Sequence, residues 1–264
     1  MKDMAAMHIP EPSRVAHSFR RGLQSYHASA TVQRQVAHEL IDLAVSAGLS
    51  QATSVFEFGA GTGLLTHPLI EMTKPKYYTA NDLVAECGPK LSSMCASNQA
   101  VFDFLTGPVE ETQPPGLLDV VASASTIQWV PELSGTLNRF CRALRPQGWL
   151  MLSGYGPEHF PELRALGLPD GAPAYRSLDQ MTACLPDGMD IISQKETGVQ
   201  LRFKTALDVL KHLRQTGVNG GVGKKWNRSD LQQFSEAYDD QFRTAEGDVT
   251  LTYAPRYLVA RKHT

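Results

Sequence analysis

Short apolar runs alternate with amphipathic stretches from Thr31 to Ser153. Each apolar run is bounded by turn-forming residues, which is typical of buried strands. The stretches between them repeat apolar positions three or four residues apart, as helices do when they pack on one side. This alternation predicts βαβ units on a parallel sheet that helices cover on both faces. The predicted strands are Ser54–Phe58, Lys76–Ala80, Val101–Phe104, Leu117–Ala122 and Trp149–Ser153, and the predicted helices are Thr31–Ala47, Thr62–Met72, Val84–Cys95 and Glu132–Leu144.

The pattern changes after Ser153. The segment from Gly154 to Pro173 is rich in glycine and proline and has no clear period. Two extended segments and two helical stretches follow, at Met189–Phe203, Val249–Arg261, Thr205–Thr216 and Arg228–Tyr238. We therefore expect an α/β fold with a Rossmann-like, seven-stranded sheet. The sheet is mostly parallel with an antiparallel last strand, and the extra helices form a lid.

The first predicted strand ends in a glycine-rich loop, within the segment V-F-E-F-G-A-G-T-G from Val55 to Gly63. Glycine permits a positive φ and lets a ligand approach the backbone closely. The spacing is G-x-G-x-G rather than the G-x-G-x-x-G typical of dinucleotide sites, which favours S-adenosylmethionine over NAD. The predicted cofactor-binding residues of this loop are Gly59, Ala60, Gly61 and Gly63. The alternative is a tight turn with a purely structural role.

Two acidic residues add to the cofactor prediction. Asp82 follows the second strand, and an acid there can accept hydrogen bonds from both ribose hydroxyls, with Leu83 beside it. Glu57 lies in an otherwise apolar strand, where an uncompensated charge is costly. A ligand with an ammonium and a sulfonium would offset that charge, whereas a pyrophosphate would be repelled. The alternatives are a surface role for Asp82 and a loop-bracing role for Glu57.

The third and fourth strands supply fewer clear signals. An acidic residue after the third strand could accept hydrogen bonds from an adenine amino group, but Pro108 stands at the expected position. The backbone amide of Val109 is the predicted substitute, and Glu110 is expected to be a solvated charge. Ser123 is predicted to lie beneath the sulfonium at the end of the fourth strand. Trp129 is expected either in the core or in contact with the substrate.

Composition narrows the functional classes further. The chain has 264 residues, 42% of them hydrophobic, and a formal net charge of -2, which gives no general electrostatic basis for binding nucleic acid. No apolar stretch approaches the length of a membrane span, and the amino terminus lacks the apolar core of a signal peptide. The four scattered cysteines indicate buried or free thiols and no metal site. A cytoplasmic location is the expectation.

Several further segments resemble those of a known family. These are Phe19 to Arg34 (F-R-R-G-L-Q-S-Y-H-A-S-A-T-V-Q-R), I-Q-W, S-G-Y-G-P-E-H-F-P-E-L-R, H-L-R-Q-T-G-V-N-G and the closing L-T-Y-A-P-R-Y. The chain resembles class I S-adenosylmethionine-dependent methyltransferases, and among them the malonyl-acyl-carrier-protein O-methyltransferases of biotin synthesis. Gly22 and Leu23 depart from the small alanines usual in that family. The resemblance implies methyl transfer to the free carboxylate of malonyl carried by acyl carrier protein, or of malonyl-CoA.

That reaction needs no general base, because a carboxylate with a pKa near ~4 is already ionised at neutral pH. The expected task of the protein is to position the carboxylate and exclude water. Arg164 and Asn219 are the favoured substrate-binding residues, with Arg214 and His212 behind them. The alternatives are surface salt bridges for the arginines and a packing role for His212.

Tyr26 and Gln33 would share a helix face two turns apart. Tyr26 is expected to lie over the cofactor and bind the substrate, or else to anchor the lid. Gln33 is expected to reach the methionine carboxylate. From Lys211 to Arg228 the chain carries five basic residues and no acid, which suggests a landing surface for an acidic carrier protein or simply a solvated face.

We expect three regions: an N-terminal helical cap (1–48), the cofactor-binding core (49–157, 186–204 and 245–264) and a helical substrate lid (158–185 and 205–244). Three other functions stay open. One is another small-carboxylate methyltransferase, such as a trans-aconitate-type enzyme. The second is a non-catalytic S-adenosylmethionine-binding partner subunit. The third, an NAD-dependent oxidoreductase, is disfavoured by the loop spacing and by Glu57.

Overall fold

The five strands predicted between Thr31 and Ser153 all form. The computed structural model describes residues 29–169, 171–217 and 226–263, and within 16–28 it describes Ala16, His17, Phe19, Arg20, Leu23 and Tyr26. These six residues have helical backbone. The strands are β1 (Ser54–Phe58), β2 (Tyr77–Asp82), β3 (Val101–Thr106), β4 (Leu118–Ser123), β5 (Leu144–Tyr155), β6 (Met189–Glu196), β7 (Val199–Phe203), β8 (Val249–Tyr253) and β9 (Pro255–Lys262).

The central sheet has seven strands in the order β3-β2-β1-β4-β5-β9-β6. Strands β1 to β5 are parallel to one another, and β9 runs antiparallel to both β5 and β6. The predicted sheet, mostly parallel with an antiparallel last strand, is therefore confirmed. The chain reverses its strand order between β1 and β4, so the carboxyl ends of these strands border a crevice where such sheets bind ligands.

Helices cover both faces of this sheet. They are α1 (Thr31–Ser46), α2 (Thr66–Thr73), α3 (Gly88–Ser97), α4 (Leu133–Ala143), α5 (Pro161–Ala165), α6 (Leu178–Thr182), α7 (Ala206–Gln215) and α8 (Arg228–Phe242). Side chains of β4 alternate between two apolar clusters, because successive residues of a strand point to opposite faces. Val120 packs in the cluster that contains α1, α2 and α3, whereas Val121 packs with α4.

A second, two-stranded sheet accounts for the main difference from the prediction. Each of the two extended segments was predicted to be continuous, but each is two strands, and β7 pairs antiparallel with β8 away from the central sheet. Thr197 and Gly198 separate β6 from β7, and Ala254 alone separates β8 from β9. Helix α7 packs on β7 and helix α8 packs on β8, where the Tyr238 hydroxyl donates to the Thr250 carbonyl. The second sheet therefore carries the helices that were expected to form a lid.

Smaller differences concern where the helices begin. The helix expected from Thr62 begins at Thr66, because residues 60–65 form turns after β1. The helix expected from Val84 begins with a 3₁₀ turn at Ala85–Cys87 and continues as α3. Across the described ranges no helix has the length and apolar character needed to cross a membrane. The division into cap, core and lid remains a prediction.

The buried face of α4 gives a test of the packing. Leu137 is fully buried, and its replacement by alanine should lower the free energy of unfolding by about 3 kcal/mol, because the cavity does not fill completely. Leu207 on α7 is 48% exposed, so the matched Leu207→Ala change should cost no more than about 0.5 kcal/mol. Urea unfolding followed by circular dichroism measures both. Equal losses in the two variants would contradict this assignment of the core.

Candidate functional site

The glycine loop leaves β1 at the carboxyl edge of the sheet. Gly59 has a φ of +65°, and a Cβ there would lie 2.2 Å from the Thr126 hydroxyl, so only glycine fits. Gly61 has a φ of +52°, but a Cβ there would meet no atom within 4 Å. The backbone of Gly61 therefore faces open space, which a ligand can approach closely. A Cβ on Gly63 would instead meet the Met94 side chain at 2.7 Å, so this glycine allows packing against α3.

Asp82 ties this loop to the end of β2. Its Oδ2 accepts a hydrogen bond from the Gly61 backbone N–H at 2.8 Å, and its Oδ1 accepts one from the Val84 N–H at 2.8 Å. Burial raises the pKa of Asp82, and the backbone hydrogen bonds oppose that shift. Each carboxylate oxygen has a second lone pair. The carboxylate can therefore brace the loop and also accept hydrogen bonds from a ligand.

Glu57 is 2% exposed and lies under the loop. Its Oε2 accepts hydrogen bonds from the Thr66 hydroxyl at 2.6 Å and from the Tyr78 hydroxyl. Burial raises the pKa of Glu57 to about 7, and the two hydrogen bonds only partly oppose this. The carboxyl group of Glu57 is thus held by neutral hydroxyl partners, and no cation among the described residues is recorded as compensating its carboxylate form.

Four spaces surround these residues, and each is defined here by residues that line it. The main cavity is lined by Gly61, Asp82, Leu83, Val109, Glu110 and Trp129. The loop cavity is lined by Gln33, Glu57, Gly59, Ala60, Gly61 and Thr62. The inner chamber is lined by Gln33, Gln128, Tyr155, His159, Tyr175 and Tyr253. The outer cleft is lined by Arg164, Ala172, Tyr175, Arg176, Gln180 and Cys184.

The loop after β3 forms one end of the main cavity. Pro108, Val109 and Glu110 all line it. Arg139 of α4 holds this loop by donating from Nη2 to the Val109 carbonyl at 3.0 Å, and Asn81 donates to the Gly107 carbonyl at 3.0 Å. Glu110 was expected to be a solvated charge, but it is half-buried on the cavity wall. It therefore supplies a carboxylate two residues beyond the proline that replaces the expected acid.

Gln33 connects the loop cavity to the inner chamber, since it lines both. The side chain is 5% exposed, and its Oε1 is a buried acceptor without a hydrogen-bond partner among the described residues. An unpaired buried acceptor is costly, and a donor group of a ligand would satisfy it. Together with Glu57 this acceptor could take hydrogen bonds from a cationic amine, and the contact of Gln33 with the methionine carboxylate remains a prediction.

Tyr26 and Ser125 line the main cavity, the loop cavity and the inner chamber. Ser125 has a φ of +56°, which is uncommon for a residue other than glycine and is often found at functional sites. Its backbone N–H donates to the Ser153 carbonyl at 3.1 Å, and its hydroxyl lies 3.2 Å from the Tyr155 hydroxyl. Burial raises the pKa of Tyr26, with the charge of Asp82 adding to the shift, so its hydroxyl stays neutral. These two residues mark the junction of the three spaces.

Ser123 was predicted to lie beneath the sulfonium at the end of the fourth strand, and that role remains a prediction; the residue that lines the junction is Ser125. The Ser123 side chain is fully buried, and its hydroxyl donates to the Phe58 carbonyl at 2.8 Å. The strand β4 includes Ser123, and the chain turns toward the cavities only after it. The sequence S-A-S-T held a usable signal, because the second serine follows the strand end by two residues.

Tyr26 lines the inner chamber, whereas the three described members of the other predicted substrate-binding residues do not. Arg164 is exposed and borders the outer cleft. Arg214 is an exposed residue of α7. His212 is 8% exposed, and its Nε2 lies 2.7 Å from the hydroxyl of Tyr253, so it stands behind a chamber residue. Asn219 lies outside the described residues. The roles of all four remain predictions.

Sequence reasoning did not single out most of the chamber wall. The residues it missed are Ser125, Gln128, Tyr155, His159, Tyr175 and Tyr253. They come from the end of β4, the end of β5, the loop near α5 and the end of β8, which are far apart in the chain. Aromatic residues at strand ends were the available signal, but nothing local distinguishes them from core residues.

Known proteins resemble this chain either in sequence or in fold, and the sequence relatives are considered first. A family model described as "Methyltransferase domain" matches residues 56–152. The malonyl-[acyl-carrier protein] O-methyltransferase of Chlorobium phaeovibrioides is 38% identical over 251 residues, covering 94% of this chain and 95% of that protein. The protein of the same name from Prosthecochloris aestuarii is 34% identical, covering 94% of this chain and 92% of that protein.

Solved structures share the fold at low sequence identity. The YcgJ protein of Bacillus subtilis is 15% identical with a TM-score of 0.60, covering 86% of this chain and 99% of that chain. The N-methyltransferase NodS of Bradyrhizobium japonicum, in complex with S-adenosyl-L-homocysteine, is 10% identical with a TM-score of 0.51, covering 90% of this chain and 98% of that chain. The fold is the class I methyltransferase fold.

The buried carboxyl of Glu57 gives a test by pH. Its pKa rises from the ordinary value of 4.5 to about 7 on folding, so the folded state retains a proton that the unfolded chain has lost. Stability contributed by this group therefore falls as pH rises through that range, by up to about 3 kcal/mol. The Glu57→Gln variant keeps an acceptor and does not titrate. The difference in unfolding free energy between wild type and variant should thus fall between about pH 4.5 and about pH 7.5. A flat difference in urea titrations would contradict the raised pKa.

Proposed function

Because the chain belongs to the malonyl-[acyl-carrier protein] O-methyltransferase family, we propose that it methylates the free carboxylate of a malonyl thioester with S-adenosylmethionine. The preferred substrate is malonyl carried by acyl carrier protein, and the step serves biotin (pimeloyl) synthesis. The observation that carries this proposal is the 38% identity with a relative of that name across 94% of the chain. A cytoplasmic location remains a prediction.

The residues around the glycine loop suit S-adenosylmethionine. Gly61 leaves its backbone open, and the Asp82 carboxylate can accept hydrogen bonds from ribose hydroxyls. The unpaired Oε1 of Gln33 and the Glu57 carboxyl fit the ammonium of the methionine end. Val109 and Glu110 border the opposite end, where the adenine would lie. A pyrophosphate beside Glu57 would be repelled, which disfavours NAD.

The reaction requires little of the protein other than the correct placement of the two reactants. When bound, S-adenosylmethionine supplies a sulfonium methyl group, and the carboxylate oxygen bonds to that carbon as the carbon–sulfur bond breaks and sulfur keeps the electron pair. A carboxylate with a pKa near ~4 needs no base at neutral pH. The tasks left to this chain are to align the carboxylate at the junction by Tyr26 and Ser125 and to exclude water.

A carrier protein would meet a basic surface near α7. Lys211, Arg214 and Arg228 are exposed, and two further lysines of this segment, Lys224 and Lys225, lie outside the described residues. Acyl carrier proteins are acidic, so such a surface would speed their association in a salt-dependent way. Malonyl-CoA shares the reacting group but not the acidic protein surface.

A methyl-transfer assay with three acceptors tests the proposed function. We expect turnover of malonyl-acyl carrier protein, slower turnover of malonyl-CoA and none of trans-aconitate. The preference for the carrier should shrink as salt rises from about 50 mM to about 300 mM, because screening weakens attraction between exposed charges. Absence of turnover with both malonyl thioesters would refute the proposal, and turnover of trans-aconitate alone would point to the alternative methyltransferase.

Asp82 gives a test of the cofactor site. Asp82→Ala removes the ribose acceptor and the brace on Gly61, so affinity for S-adenosylmethionine should fall at least about tenfold. Asp103→Ala is the matched control, because Asp103 is an exposed aspartate of the neighbouring strand β3 and lines none of the four spaces. Calorimetric titration measures both affinities. Unchanged binding in Asp82→Ala would remove this residue from the cofactor site, and titration with NADH checks the dinucleotide alternative.

A further inference from the structure

The inner chamber is polar but carries no formal charge among its described lining residues. Its polar members are tyrosines, glutamines, Ser125, Thr216 and His159, and neither a lysine, an arginine nor a carboxyl group is among them. A carboxylate entering such a space loses its hydration and needs donors in return. The wall of the inner chamber provides such donors as hydroxyls and ring N–H groups.

His159 is the most firmly held of these donors. It is 2% exposed, and its ring centroid lies 4.1 Å from that of Tyr155 and 3.7 Å from that of Phe160. Its Nδ1 accepts a hydrogen bond from the Ala254 backbone N–H at 3.3 Å. In a neutral imidazole only one nitrogen carries a proton, so an accepting Nδ1 places that proton on Nε2.

The surroundings keep this ring uncharged. Burial lowers the pKa of His159 well below its usual value, and the Arg164 guanidinium lowers it further. The other titratable groups packed around the ring are the phenols of Tyr155, Tyr175 and Tyr253, which are neutral at ordinary pH. His159 is thus an N–H donor that carries no formal charge near neutral pH.

We propose that the inner chamber receives the malonyl carboxylate and holds it through neutral donors, with the Nε2–H of His159 donating to the oxygen that does not attack. This inference rests on the proposed function. It assigns substrate binding to the chamber wall rather than to Arg164, which the sequence had favoured. The junction at Tyr26 and Ser125 is then where the carboxylate held in the chamber meets the cofactor.

Neutral hydrogen-bond donors are suited to a reaction in which two charged reactants become two neutral products. An anionic oxygen and a cationic sulfonium become a neutral ester and a neutral thioether, so a surrounding of low polarity favours the transition state over the charged reactants. A bidentate arginine would bind the carboxylate strongly but would also withdraw electron density from the attacking oxygen. A single N–H donor orients the group without pairing its charge.

Arg164 lies where it can influence the chamber without entering it. It borders the outer cleft, which shares Ala172 and Tyr175 with the chamber. Its Nη2 donates to the backbone carbonyl of His159 at 3.3 Å, so it contacts the main chain of the proposed donor.

Two substitutions of His159 separate its donor from its structural contact. His159→Asn can keep an acceptor for the Ala254 N–H but is too short to reach as far as Nε2. His159→Gln places an amide N–H near the position of Nε2. We expect kcat/KM for malonyl-acyl carrier protein, at saturating S-adenosylmethionine, to fall at least about tenfold in the asparagine variant and less than about threefold in the glutamine variant. His263→Asn, at an exposed histidine paired with Asp190, is the matched control and should leave turnover unchanged.

A spectroscopic measurement on the wild-type protein complements these assays, because it needs neither a substitution nor turnover. In ¹⁵N spectra of histidine-labelled wild type, His159 should be the neutral Nε2–H form from about pH 6 to about pH 8. Its Nε2 proton should shift downfield when malonyl-CoA is added with S-adenosyl-L-homocysteine, which blocks turnover. An imidazolium, an Nδ1–H form or an unchanged resonance would overturn the proposal.

The outcomes distinguish this inference from the proposed function. Wild-type turnover of malonyl thioester with full activity in His159→Asn, and a loss of at least about tenfold in Arg164→Ala, would overturn the neutral chamber and leave the proposed function standing. Absence of wild-type turnover with either malonyl thioester would overturn both. Unchanged affinity of His159→Asn for S-adenosylmethionine in calorimetry shows that the variant retains its cofactor site.

Discussion

The hydrogen bonds from Gly61 and Val84 to the Asp82 carboxylate organise the site. One carboxylate joins the turn after β1 to the turn after β2, at the edge where parallel strands end. This contact fixes the open backbone of Gly61 relative to the main cavity and to the loop cavity. Because burial makes this carboxylate costly to ionise, the backbone donors are needed to hold it in place. The ligand site therefore depends on a charge that the loop itself stabilises.

Local patterns in the sequence were sufficient to predict the parallel strands of the central sheet. Strand β1 begins at Ser54 and ends at Phe58 as predicted, because an apolar run followed by glycines defines both its burial and its end. The cavity position of Asp82 was predictable for the same reason, since it follows a strand of the same sheet. Asp82 and the glycine loop are close in the fold because the strands that carry them are neighbours.

The substrate side depended on contacts that no local pattern contains. Ser125 rather than Ser123 reaches the junction because the chain takes a left-handed conformation after β4, which a serine does not signal. The tautomer of His159 is set by the Ala254 N–H, which is distant in sequence and lies between β8 and β9. Arginines were predicted as carboxylate partners, and their roles remain predictions. The chamber proposed for the carboxylate is instead lined by aromatic rings, which local sequence patterns do not distinguish from core residues.

The single residue between β8 and β9 has a mechanical consequence. Ala254 holds the ring of His159, its neighbour Tyr253 lines the chamber, and β9 is hydrogen-bonded to β5 and β6 on either side. The second sheet is consequently joined to the central sheet without a linker, because β8 continues through Ala254 into β9, the last strand but one of the central sheet. The wall of the chamber that carries Tyr253 is therefore continuous with the hydrogen bonds of the central sheet. On another side of the chamber the Phe19 ring packs edge-on against Trp129 at 5.5 Å, so side-chain contacts rather than sheet hydrogen bonds close the space there.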